Sequence, residues 1–225
     1  MEHTTKIKIC GITRVEDSRA AIALGADAIG VNFVKESPRY IGEPANARAL
    51  IEQSGPGAKI LWAGVFARWT IDQIVIAVRT AGLQIVQLHG DESPEFVADI
   101  KSRLPRGVSV WKAFRVATAA DLEPLGNYPC DANLVDAKCA GVLGGSGQRF
   151  DWSLLKNISR QKPLVLAGGL GPDNVTEAVR EVRPDWVDVA SGVESKPGVK
   201  DNALVERFIT AARLQTPDSG LQTRF

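Results

Sequence analysis

The chain has 225 residues and is 44% hydrophobic, enough for one sizeable core and within the range that α/β barrels fill as a single domain. Its 27 basic and 26 acidic side chains nearly cancel, so no broad field is available to hold nucleic acid or an anionic membrane, and a small-molecule partner is expected. Met1-Glu2-His3-Thr4-Thr5 lacks the pattern of a secretory signal and no apolar run approaches the roughly 20 residues of a membrane span, so a cytoplasmic protein is expected.

Short β-branched runs alternate with amphipathic stretches from end to end. Lys6–Cys10 precedes a helical pattern at Val15–Leu24, Ala28–Phe33 precedes Ala45–Gln53, Ile60–Phe66 precedes Ile71–Ala81, and Ile85–Leu88 precedes Pro94–Arg103. Ser109–Ala113 then precedes Ala119–Leu125, Asn133–Asp136 precedes Trp152–Asn157, Pro163–Ala167 precedes Pro172–Val182, and Trp186–Ala190 precedes Asn202–Leu214. Thr70 with Gln73 has the spacing of a capping box, Ser93 stands before a proline, and Asp201 can cap the last helix. Gly25 and Gly82 sit where a left-handed helix terminus is expected.

Eight strand–helix pairs predict an α/β fold with a single-domain (βα)8 TIM barrel over residues 1–215, and residues 216–225 read as a disordered tail. A doubly wound open sheet shares the alternation. It usually has fewer strands and often a GxGxxG turn after the first, where this chain has Gly11-Ile12-Thr13-Arg14.

Active sites of such barrels lie at the C-terminal ends of the strands. That position selects Cys10, Asn32, Arg39, His89, Lys112 with Arg115, Asp136, Gly168-Gly169 and Ser191-Gly192. If Ile7 and Ile9 face the helices, Lys8 and Cys10 point into the barrel together. A free thiol is only about 3% ionised at pH 7, and a neighbouring ammonium raises that fraction; the plainer role is a small core residue beside a paired lysine. Asp136 must either pair, with Lys138, Lys112 or Lys8, or act as an acid, since a lone buried carboxylate is costly.

Gly144-Gly145-Ser146-Gly147 belongs to a loop too glycine-rich for a passive connection, and glycines after strands seven and eight let backbone N–H groups approach a phosphate. Tight turns would use the same residues. Arg39 can fork onto a carboxylate, although surface arginines are common. The three cysteines Cys10, Cys130 and Cys139 are odd in number without CxxC spacing, which speaks against a disulfide framework and structural zinc. His3 is the only histidine besides His89, so no metal site is expected.

Lys8-Ile9-Cys10-Gly11, Ser37-Pro38-Arg39, Gln87-Leu88-His89-Gly90-Asp91, Asp136, Gly144–Gly147 with Phe150-Asp151-Trp152, and Ala167-Gly168-Gly169-Leu170 resemble the phosphoribosylanthranilate isomerase family of tryptophan biosynthesis. The resemblance spans nearly the whole chain, with Ser146 a mild variation where threonine is frequent. It implies an Amadori rearrangement of N-(5-phosphoribosyl)anthranilate without metal or cofactor. Asp136 would be the general acid at the furanose ring oxygen, and Cys10 the general base at C2′. Arg39 would hold the anthranilate carboxylate, and Gly145, Gly169, Ser191 and Gly192 the phosphate; Lys8 and His89 would be secondary. In this scheme Lys8 lowers the thiol pKa while the acid has its own raised.

A histidine-pathway aldose–ketose isomerase would use a pair of aspartates, which Cys10 disfavours. An indole-glycerol-phosphate synthase would call for lysine and glutamate and usually a longer N-terminal extension. A catalytically dead barrel retained for binding would have no need of Cys10 and Asp136. Monomer is the default assembly.

Overall fold

Strand β1 (Lys6–Cys10) turns the fully buried Ile7 and Ile9 toward the helices and Lys8 into the barrel, as its alternation demands. The strands that follow are β2 (Ala28–Asn32), β3 (Leu61–Phe66), β4 (Ile85–Leu88), β5 (Ser109–Arg115), β6 (Ala132–Asp136), β7 (Leu164–Ala167) and β8 (Trp186–Val189). All pair in parallel in chain order, and β8 returns to β1 with Lys6 opposite Trp186 and Lys8 opposite Asp188, so the barrel is closed. This computed structural model describes residues 4–55, 60–136, 152–156, 158 and 160–214.

Around the barrel lie α1 (Val15–Ala23), α2 (Pro44–Gln53), α3 (Ile71–Ala81), α4 (Pro94–Arg103), α5 (Val175–Val182) and α6 (Asn202–Arg213). The expected caps are present. Thr70 and Gln73 bond reciprocally, Phe96 N–H donates to Ser93 Oγ, Ala203 and Leu204 N–H donate to Asp201, and Gly25 and Gly82 have φ of 95° and 73°.

The connections after β5 and β6 depart from the expected helices. Ala119–Asn127 is a 3-10 segment, because Pro124 lacks the N–H that an α-helix there would require. Trp152–Leu155 is a single 3-10 turn, and α5 starts three residues after Pro172, where Asn174 Oδ1 accepts from Gly171 N–H. Past β8, an unexpected 3-10 turn (Ser191–Val193) leads into a small hairpin of β9 (Glu194–Lys196) and β10 (Val199–Lys200). The expected tail lies outside the described residues.

The barrel floor is apolar. Trp111 and Trp186 meet edge to face at 5.1 Å, in space left by Ala28, Ala63, Ala113, Ala132 and Ala167. Lys6 Nζ lies 5.2 Å from the Trp186 ring centre. Above this floor, toward the C-terminal strand ends, the interior becomes polar.

Candidate active site

Lys8 is fully buried and donates from Nζ to Asp188 Oδ1 and Gln87 Oε1, both at 2.9 Å. Such a pair is worth little relative to apolar packing, yet removing one partner costs about 3–5 kcal/mol because it strands the other charge. Lys8 is therefore committed to Asp188. Its ammonium is held above its ordinary pKa: burial works against the charge, but the attraction of Asp188 and of Cys10 outweighs it.

Cys10 lies beside Lys8, and a Cβ on Gly30 of β2 would stand 2.7 Å from its Sγ and 3.1 Å from Lys8 Cε. The absent side chain of Gly30 is the space these two groups occupy. Lys8 does pull the thiol pKa down, as expected, but the net shift of Cys10 is upward. Burial and the Asp188 carboxylate push the thiol up, and Lys8 and Lys200 only partly oppose them. The lysine is neutralised by the aspartate that holds it.

One open cavity of about 680 Å³ at the C-terminal strand ends gathers the expected residues. Cys10, Arg39, His89, Asp136, Gly169 and Ser191 line it, with Asn32 and Arg115. Lys8 lies beneath it and Gly192 beside Leu170 of its rim, where a Cβ would come within 2.0 Å of the Leu170 carbonyl oxygen. That close approach is why the turn after β8 requires glycine; Gly169, at φ 65°, requires it for its backbone. Gly145 lies outside the described residues, as do Lys138 and Cys139.

Asp136 takes neither Lys8 nor Lys112 as partner, since Lys112 points to a neighbouring cleft with Glu92 at 3.2 Å. Instead Asp136 Oδ2 faces His89 Nε2 at 3.4 Å. Arg39 differs from expectation, because its Nε and Nη2 already fork onto the buried Glu194 of β9 at 2.7 and 2.6 Å. Lys200 bonds the same carboxylate at 2.9 Å. Although burial opposes the charge, these two cations hold Glu194 below the ordinary carboxylate range. A guanidinium has five donors, so the end-on edge of Nη1 and Nη2 is left for a second anion.

Sequence reasoning passed over Asp188, Gln87, Glu194 and Arg68. Strand alternation was available for two of them, since Asp188 shares the parity of Trp186 and Gln87 that of Ile85. Arg68, just past β3, lines the cavity from a left-handed backbone with φ 60°, an uncommon state outside glycine. Among the described residues no group of three or more His, Cys, Asp or Glu side chains is arranged to hold a metal ion.

A closed parallel barrel with a polar cavity at the C-terminal ends of its strands has the build of a barrel enzyme acting on a small molecule. The family profile described as "PRAI: N-(5'phosphoribosyl)anthranilate (PRA) isomerase" matches residues 7–211. The N-(5'-phosphoribosyl)anthranilate isomerase of Citrifermentans bemidjiense is 45% identical over 209 residues, 93% of this chain and 97% of that protein. The crystal structure of phosphoribosyl anthranilate isomerase from Thermotoga maritima superposes with a TM-score of 0.82 at 39% identity, covering 92% of this chain and 98% of that one. A second solved isomerase, in complex with reduced 1-(o-carboxyphenylamino)-1-deoxyribulose 5-phosphate, is 37% identical with a TM-score of 0.80 over 92% and 98% of the two chains. The Thermotoga maritima protein is described as dimeric. The chain belongs to the phosphoribosylanthranilate isomerase family.

Proposed function

We propose that this chain isomerises N-(5-phosphoribosyl)anthranilate to 1-(2-carboxyphenylamino)-1-deoxyribulose 5-phosphate in tryptophan biosynthesis, with Asp136 as general acid and Cys10 as general base. The observation that carries this reading is that the two groups, from β6 and β1, line one cavity whose rim is the backbone at Gly169 and Ser191. Asp136 gives its proton to the furanose ring oxygen as the C1′–O bond breaks, and the glycosylamine nitrogen supplies the electron pair that forms the iminium. Cys10 then removes the proton at C2′, and the electrons of that bond neutralise the iminium. The resulting enol tautomerises to the ketone.

The phosphate is assigned to the backbone at Gly169, Ser191 and Gly192, together with Gly145, and Lys8 and His89 support the site without meeting the reacting atoms. The thiol at Cys10 favours this reaction over an isomerisation run by paired aspartates. The reading takes a monomer in the cytoplasm as the working form; among the described residues, no helix is long and apolar enough to cross a membrane. The test is steady-state loss of the substrate's anthranilate-type fluorescence with purified protein. Turnover is expected, and its absence would overturn the assignment.

Arg39, oriented by Glu194, is assigned to the substrate carboxylate through its free edge. A hydrogen bond to a charged group contributes about 1.5–3 kcal/mol, so Arg39→Ala is expected to raise KM by about 10- to 100-fold with kcat little changed. An unaltered KM would remove Arg39 from the carboxylate site.

A further inference from the structure

We propose that Gln87 is a positioning residue: it fixes the tautomer of His89, and through it keeps the acid proton of Asp136 on the oxygen that does not face the imidazole. The proposal rests on the reading of Asp136 as general acid. It concerns a chain of contacts that crosses the barrel interior from β8 to β6, namely Asp188, Lys8, Gln87, His89 and Asp136.

The direction of each bond follows from elementary chemistry. An ammonium only donates, so the Gln87 atom 2.9 Å from Lys8 Nζ must be the carbonyl oxygen, Oε1. The amide nitrogen, also a donor only, is then the atom 3.1 Å from His89 Nδ1. Nδ1 must accept. A neutral imidazole that accepts on Nδ1 carries its proton on Nε2, and that nitrogen faces Asp136 Oδ2 at 3.4 Å. Contacts of this length tighten when a catalytic site closes on substrate.

The consequence lies in which oxygen of Asp136 is the acid. With Nε2–H directed at Oδ2, that oxygen accepts, and the proton of the neutral carboxyl belongs on Oδ1. In the opposite tautomer Nε2 would be a lone pair. The carboxyl proton would then be drawn onto Oδ2 toward the imidazole and be unavailable to the ring oxygen of the substrate.

Lys8 is what makes the device rigid. It is fully buried and also tied to Asp188, so its charge is not free to leave, and Gln87 is itself buried with its amide oxygen held by that charge. Only a carboxamide satisfies both neighbours, accepting at one end and donating at the other. Glutamate would accept at both ends and call for a proton on Nδ1; an apolar side chain would do neither.

The chain has two histidines, His3 and His89, so nitrogen-15 spectra of histidine-labelled protein are readily assigned with a His3→Ala variant. Recorded at about pH 8, above the ordinary histidine pKa near 6.5, two-bond proton–nitrogen correlations are expected to show His89 protonated on Nε2 and bare on Nδ1. Gln87→Glu is expected to move the proton from Nε2 to Nδ1. It should lower kcat at least about tenfold while KM stays within about threefold, because the lost effect belongs to proton transfer. Should glutamate prevent folding, Gln87→Met removes both bonds without adding charge and is expected to give mixed tautomers with a similar fall in kcat. A wild-type His89 protonated on Nδ1 would overturn the proposal, as would a Gln87→Glu enzyme with switched tautomer and unchanged kcat. Failure of the wild-type protein to turn over would overturn the proposed activity, whereas the spectrum judges the tautomer independently.

Discussion

Asp136→Asn is expected to lower kcat by at least about 100-fold, the usual scale of a general acid, while leaving KM within a few-fold. The asparagine side chain has the same shape but no proton acidic enough to give the ring oxygen, so the C1′–O bond would have to break to an alkoxide. The fold should survive, because Asp136 has no lysine or arginine partner among the described residues. Among the described residues no buried cation is stranded, which is the event that makes such replacements at Lys8 or Asp188 costly. Steady-state kinetics beside a thermal melt separates the two effects. An Asp136→Asn enzyme with near-wild-type kcat would show that the acid is elsewhere.

The barrel was legible because its signals are local. β1 shows its two faces in five residues, Thr70 and Gln73 announce a helix start by spacing alone, and the glycines after β7 and β8 fall where strand ends require them. Element identity failed where local signals conflict. Ala119–Leu125 has helical spacing, but Pro124 interrupts its hydrogen bonds, and a 3-10 segment results.

The site was legible to the extent that position sufficed. Cys10, Asp136, His89 and Arg39 were all selected by strand ends, whereas the anions that hold Lys8 and Arg39 were not. Asp188 is 180 residues from Lys8 and Glu194 is 155 residues from Arg39, and only closure of β8 onto β1 and the hairpin of β9 and β10 bring them together. A sequence shows that a buried lysine needs an anion; it does not show which one. This gap produced the mistaken expectation for Cys10. Lys8 was read either as a paired core lysine or as a cation acting on the thiol, with no anion named for it; that anion is Asp188, which itself raises the thiol pKa.

That correction shapes what Cys10→Ser is expected to do. The serine hydroxyl nearly matches the thiol in shape, but an alcohol is a far weaker acid and hardly ionises, so kcat should fall by at least about 100-fold with little change in KM. The thiol itself is expected to titrate above its ordinary value near 8.5 in the free enzyme, because burial and Asp188 disfavour its charged form. For an acid whose pKa is raised, the thiolate is gained only as pH climbs through the shifted value. At neutral pH the thiolate is therefore below the about 3% of an ordinary cysteine. Ultraviolet thiolate absorbance, followed in a Cys130→Ala, Cys139→Ala background because burial pushes the Cys130 thiol up as well, reads this directly. A midpoint at or below the ordinary value would mean that Lys8 prevails after all. A midpoint above it assigns the activation of Cys10 to the substrate. The iminium made when Asp136 opens the ring places a positive charge beside the sulfur and acidifies the C2′ proton, so the scarce base acts only after the acid has.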